Sequence, residues 1–422
     1  MNVYRLMINP LGRRFLLIFL FLSAAIPVLA ATDRGAEACY RRIDAGLEGL
    51  QAQLPAITRS AERAAAGFVK NDFGIVVFGD PGMVGEATGR AGGLMPIDSG
   101  NLKTADGKNT IALFFPYPPG QNEMLKMAAT MRKNGGIIVV FGDAALKDAA
   151  EKAGIPMDCF IATTCPVENA AAGRGKIGFP SDAVMNMSAL WCWTGEFVAA
   201  CTRLGRMPPL YQSFAVPGAR DRAAKFQGLK FHAETPTPIA AGIFGKQYLD
   251  GIRQHLSVLH EKELDHIRTV AGQAVAAADS GHAVYLSVIG HALVGHAPRI
   301  KEDGRMQLLN DGWSSFRKDL KLNRGDFVFF LGYDDMVPEL AGAAQQAGAV
   351  SAWSFTDYKT APGAVPAGQV VINQRWALGD AIIAVPNYDI RILPPSGVIA
   401  ETILGMILAE MDSPRYSGLR QK

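Results

Sequence analysis

The stretch Leu322–Phe355, LNRGDFVFFLGYDDMVPELAGAAQQAGAVSAWSF, decides the fold. Val328–Leu331 is a short apolar run of β-prone residues. Gly332-Tyr333-Asp334-Asp335 is polar and reads as a loop. Pro338 suits the first turn of a helix, and Glu339 puts negative charge where a helix N-terminus favours it. Gly348 ends that helix and Val350–Phe355 resumes a strand. The unit is strand, loop, helix, strand, and its loop belongs at the carboxyl edge of a parallel sheet, where open α/β folds bind ligands.

Working outward, the chain of 422 residues has room for two or three domains. Its N-terminus reads as an export signal. Arg5, Arg13 and Arg14 precede the apolar run Phe15–Leu22, and Val28-Leu29-Ala30 is a small-residue cleavage pattern. The run is shorter than the ~20 residues of a membrane-spanning helix, so no stable span is expected after cleavage. The general secretory route is favoured, with a twin-arginine route open at Arg13-Arg14. The expected location is periplasmic or secreted.

The whole chain carries a formal charge of +3, and the leader holds three arginines and no acid, so the mature chain is neutral. Nothing electrostatic favours nucleic acid or an anionic membrane surface as a partner. The five cysteines are an odd number for an oxidising compartment. Cys159 and Cys165 are near enough in sequence to pair, and Cys192 and Cys201 read as buried helix residues.

In chain order, Tyr40, Ile43, Leu47, Leu50, Leu54 and Ile57 alternate by three and four, as in one amphipathic helix. Strands follow at 74–78, 111–115 and 137–141, then a long apolar helix from Pro180-Ser181-Asp182. The second half repeats the order: a helix from Leu249, a strand at 283–289, the opening unit, a last strand at 380–385, and a helix from Pro395-Ser396-Gly397. Met83-Val84-Gly85-Glu86-Ala87 answers Leu293-Val294-Gly295-His296-Ala297, and Tyr117 with Glu123 answers Tyr333 with Glu339. Matching order at matching offsets marks an internal duplication. The divisions are a leader over 1–30, a first half over 31–215, a proline-rich linker over 216–246, a second half over 247–412 and a tail over 413–422.

This layout resembles the SIS (sugar isomerase) domain, often found as two tandem copies of a helix followed by a five-stranded parallel sheet flanked by helices. The resemblance implies an α/β fold of two SIS-like three-layer α/β/α halves with flavodoxin-like parallel sheets. It also implies a carbohydrate derivative, a sugar or phosphosugar, as ligand. The family's loop is Ser-x-Ser-Gly-x-Thr-x-Glu. Gly332-Tyr333-Asp334-Asp335-Met336-Val337-Pro338-Glu339 fits that frame but keeps only the final Glu339. The hydroxyls that would hold a phosphate are absent, the first copy has Pro118 and Pro119 there, and Asp334 and Asp335 repel a dianion. The pocket is expected to be kept for neutral sugar hydroxyls, an amino sugar or a cation.

The candidate ligand-binding residues are Gly290, His291, Gly332, Tyr333, Asp334, Asp335 and Ser396 in the second copy. In the first they are Gly79, Asp80, Tyr117 and Ser181, Gly79 and Gly290 lying in turns that look like the family's glycine-rich first turn. Ser181 and Ser396 read equally as helix caps. Glu401, His291 and His296 are the nominees for acid or base, with isomerase-type chemistry as the activity they would serve. No metal site and no cofactor is expected, because no zinc-ligand spacing, P-loop or full dinucleotide fingerprint occurs. A homodimer is compatible with the layout. The competing reading is a non-catalytic binding or interaction protein descended from such an enzyme.

Overall fold

The computed structural model describes residues 35–101, 106–118, 120–152, 154–155, 157–165, 179–310, 321–333, 336–356 and 368–416. The leader over 1–30, Asp334 and Asp335, and the tail beyond 416 lie outside the described residues.

The first half runs α1 (Ala36–Ala52), α2 (Leu54–Lys70), β1 (Gly74–Gly79), α3 (Pro81–Ala87), β2 (Asp98–Ser99), β3 (Thr110–Phe115), α4 (Gln121–Lys133), β4 (Ile137–Gly142), α5 (Ala144–Lys152), β5 (Cys159–Ala162) and α6 (Ser181–Arg203). A connecting stretch carries α7 (Ala219–Phe226). The second half runs α8 (Ile243–Asp279), β6 (Val284–Val288), α9 (His291–Gly295), α10 (Ala297–Asp303), β7 (Gln307–Leu308), β8 (Phe327–Leu331), α11 (Pro338–Ala347), β9 (Val350–Phe355), β10 (Val370–Asn373), a small antiparallel pair β11 (Ile383–Ala384) and β12 (Arg391–Ile392), and α12 (Ser396–Met411).

Each half holds a five-stranded parallel sheet. Their strand orders are β2-β1-β3-β4-β5 and β7-β6-β8-β9-β10, so the two are the same topology used twice. That order is the flavodoxin-like one, in which the chain reverses direction beside the first strand and opens a crevice between the first and third. The central unit forms as expected: Phe327 pairs with Val350 and Leu331 with Ser354, in parallel register.

The central strands β4 and β8 are apolar and buried throughout because a central parallel strand is covered on both faces, while the short edge strands β2 and β7 carry polar residues. The period of two still shows. Ile111, Leu113 and Phe115 of β3 enter one large core, while Ala112 and Phe114 enter a second. Phe327, Phe329 and Leu331 of β8 join that same large core, and Val328 and Phe330 pack outward under α11. One core therefore runs between the inner faces of both sheets, filled by α1, α2, α6, α8 and α12. The first and last described α-helices meet there: the Ala36 amide at the start of α1 donates to Glu410 Oε2 of α12 at 2.9 Å. α12 is apolar nearly all round and almost wholly buried, as an interior helix must be.

Two local expectations change. The run from Tyr40 to Ile57 is two helices, because Pro55 lacks an N–H and its ring crowds the preceding turn. The second sheet ends with β10; residues 380–385 instead contribute to the small β11–β12 pair, with Asp380 at a positive φ of 44°. All five cysteines are free thiols, and Cys192 and Cys201 are buried in α6.

Candidate functional site

The two halves approach each other closely through α3 and α9, the short helices after the first strand of each sheet. Glycine makes this approach possible. A Cβ on Gly82 would stand 2.1 Å from the His296 ring, and one on Gly295 would stand 2.5 Å from the Gly82 Cα. A Cβ on Gly397, at the start of α12, would meet Glu86 Oε1 at 2.6 Å. The duplicated positions Glu86 and His296 thus both lie buried in the seam between the halves, each inside a network of charge.

His296 sits between two carboxylates. Its Nδ1 is 2.6 Å from Glu401 Oε1 and its Nε2 is 3.0 Å from Asp80 Oδ1. Asp80 also caps α3 by accepting the Gly82 amide at 2.8 Å. Arg299 of α10 reaches Asp80 Oδ2 at 3.1 Å and Asp182 at the start of α6, and it lies over the Phe179 ring. Burial alone would push His296 down; Asp80 and Glu401 outweigh that and hold it up at about 10. Burial alone would raise Asp80, and the facing imidazolium outweighs it, holding Asp80 at about 2. For Glu401 burial prevails over its partners and the shift is upward.

The second network surrounds Arg90. Its Nε donates to Glu86 Oε1 at 3.2 Å, its Nη1 pairs with Asp380 Oδ2 at 2.8 Å, and its Nη2 donates to Ser396 Oγ. Asp380 further accepts from Ser396 N at 3.2 Å, Ser396 Oγ at 3.0 Å and Tyr333 Oη at 2.7 Å. Trp191 Nε1 donates to Glu86 Oε1 at 3.1 Å. Arg90 and Asp380 are both almost wholly buried.

Beside this network, at the carboxyl ends of β6 and β8, is a pocket. Arg90, His291, Tyr333, Gln374, Ser396 and the glycine backbone at 290, 332 and 397 line it. Its volume of about 10 Å³ is room for one water molecule. Burial, and then the nearby Arg90, push His291 down to about 4, so it is neutral at pH 7.

The structure brings Gly290, His291, Gly332, Tyr333 and Ser396 together at this pocket. It places His296 and Glu401 in the other network and Asp80 with them. Gly79 ends β1 at a φ of 117°, with the Phe115 carbonyl where a Cβ would be. Tyr117 packs half-buried against the first half's outer core. Ser181 and Ser396 open α6 and α12 without capping either. Arg90, Glu86, Gln374 and Asp380 are site residues that sequence reasoning did not single out. The duplicated Glu86–His296 position was the available signal. Among the described residues no group of three or more His, Cys, Asp and Glu side chains is placed to hold a metal ion.

The strand order used twice and the flanking helices define a protein of two tandem flavodoxin-like α/β/α halves, with a pocket at the crevice of the second sheet. The chain matches no protein-family model and no curated protein sequence. Solved structures do match it. A candidate phosphosugar isomerase from Clostridium difficile is 9% identical over 91% of this chain and 93% of its own, with a TM-score of 0.49. A candidate sugar binding protein from Salmonella typhimurium is 12% identical over 89% and 99%, with a TM-score of 0.47. The C-terminal domain of glucosamine-fructose-6-phosphate aminotransferase from Francisella tularensis is 10% identical over 87% and 93%, with a TM-score of 0.44. The tandem α/β layout rests on this chain's own strand order rather than on those likenesses.

Proposed function

We propose that the chain is an exported protein that binds a carbohydrate derivative at the crevice of its second sheet, through hydroxyl or amino groups. The observation that carries this reading is the convergence of Arg90, His291, Tyr333, Gln374 and Ser396 on the carboxyl edge of β6 and β8. Polar groups converging at a topological switch point are what a small-molecule site of this architecture requires. Arg90 is paired with both Glu86 and Asp380, so the edge carries no spare positive charge for a phosphate. The sugar class comes from the SIS resemblance of the sequence, and export from the leader pattern over residues 1–30. Isomerase-type turnover would draw on His291, the neutral imidazole at the pocket.

The test is a thermal-shift and calorimetric panel setting hexose 6-phosphates beside the matching free sugars and amino sugars. A ligand at 100 times its Kd adds about 2.7 kcal/mol of stability. Stabilisation by free or amino sugars, lost in His291→Ala, supports the reading; stabilisation by phosphosugars alone overturns its ligand chemistry. N-terminal sequencing of the secreted protein should begin at Ala31. A second reading, a non-catalytic interaction protein, is favoured by the pocket volume of about 10 Å³, since a monosaccharide enters only if the pocket widens. That reading predicts no response to any sugar.

A further inference from the structure

Asp380 is buried in a cluster of donors at the start of α12. Its carboxylate accepts from four donors on three separate elements: the Ser396 amide and hydroxyl at the start of α12, the Tyr333 hydroxyl after β8, and the Arg90 guanidinium from the opposite half. A backbone amide at a helix start, two hydroxyls and a guanidinium are the donor set that oxyanions seek. Three of the four converge on Oδ2 and the Ser396 amide takes Oδ1. The residue reaches the spot from the segment after β10, on backbone at a φ of 44° that a non-glycine seldom adopts. The pocket lined by Arg90, Tyr333 and Ser396 adjoins it.

We propose that Asp380 is a specificity-determining residue that plugs an anion-binding seat at the start of α12, so that the adjoining pocket rejects phosphorylated ligands and takes their unphosphorylated counterparts. The proposal rests on the reading of this edge as the carbohydrate site and names which ligands it admits. The seat's donors are all taken, and Arg90 is held from behind by Glu86, so it does not swing toward an incoming group. A phosphate arriving here meets a carboxylate instead of open donors, and two anions at one point repel. The first half has only a partial counterpart: Asp182, inside the first turn of α6 and partly exposed, accepts the Ala183 amide and pairs with Arg299 of the second half.

The test vacates the seat. Asp380→Gly suits the positive φ and leaves the four donors facing an empty space. The purified protein is titrated with inorganic phosphate, against chloride of matched ionic strength, and the thermal midpoint is read. Asp380→Gly should gain a midpoint that climbs by several degrees with phosphate and saturates. The unmodified protein, Asp380→Asn, which keeps the plug's shape, and the double variant Asp380→Gly with Arg90→Met should all stay flat. A flat response of Asp380→Gly overturns the proposal, and so does an equal response of Asp380→Asn. If Asp380→Gly does not fold in chloride, recovery of folded protein in phosphate supports the proposal, and no recovery overturns it. The carbohydrate reading fails separately, through the absence of any sugar response in the unmodified protein, which leaves the phosphate response of Asp380→Gly untouched.

Discussion

Arg90 and Arg299 cross between the halves in opposite directions. Arg90, just after α3 in the first half, pairs with Asp380 beside the start of α12 in the second. Arg299, on α10 in the second half, pairs with Asp182 at the start of α6 in the first. Each arginine also meets a carboxylate of the first half, Glu86 or Asp80. The seam between the halves is therefore held by reciprocal ion pairs as well as by the shared core, and the two contributions are separable by mutation.

Arg90→Met strips the cation from two buried carboxylates and should destabilise the fold by about 3–5 kcal/mol, the usual result of leaving buried charge unpaired. Adding Asp380→Asn to Arg90→Met should recover part of that loss, because it removes one of the orphaned charges. Urea unfolding of the two single variants and the double variant measures both terms. Strictly additive losses would show that Arg90 and Asp380 do not depend on each other.

His296 gives the seam a pH dependence. Its folded pKa of about 10 stands above the ordinary 6.5, so the stability it contributes is fully present below 6.5 and is lost as pH rises toward 10. The unfolding free energy should fall across that window by as much as about 1.4 kcal/mol per pH unit. Asp80, held near 2, works on the acid side: its contribution is present above 3.8 and is lost as pH falls through 2. His296→Gln should flatten the alkaline limb. An unchanged limb in that variant would remove His296 as its cause.

The core was open to sequence reading where the physics is local. Val328–Leu331 and Ile137–Phe141 announced strands because buried parallel strands need unbroken apolar runs, and the matched segments Met83–Ala87 and Leu293–Ala297 announced the repeat. The seam was not readable in the same way. Gly82, Gly85 and Gly295 carry no distinguishing signal in the sequence, yet each is small because the other half's backbone or side chain stands against it. Arg90 lies in a glycine-flanked stretch with no motif, and apart from Glu86 its partners, Asp380 and Ser396, come from the other half. Asp380 reads as the start of a strand; only the fold shows its carboxylate gathered by Ser396, Tyr333 and Arg90.

The glycine reading is testable with paired substitutions. Gly82→Ala drives a methyl into the His296 ring and should cost about 1–3 kcal/mol, as overpacking of a tight interior does. Gly49→Ala is the control. It lies within α1 with nothing within 4 Å of the new Cβ, and it should stabilise the protein by about 0.5–1 kcal/mol through helix propensity. Chemical denaturation of both variants decides the matter, and a harmless Gly82→Ala would show that α3 and α9 have slack between them.

His291 should behave oppositely to His296 although the two are five residues apart. Burial and Arg90 push it down to about 4, so the stability tied to its neutral form is present above 6.5 and is lost as pH falls from there through 4. His291→Asn should therefore hold its stability better than the unmodified protein at pH 4–5, in proportion to that depression. Proton NMR of the imidazoles checks the assignment directly. The His291 resonance should stay at its neutral position down to about pH 5, while that of His296 stays at its charged position up to about pH 9. Sugar binding at the pocket should then be flat between pH 5 and 8, since its one imidazole does not change charge in that range. A binding constant that changes tenfold across it would mean that His291 takes up a proton when ligand enters, and would place it among the groups that handle protons at the site.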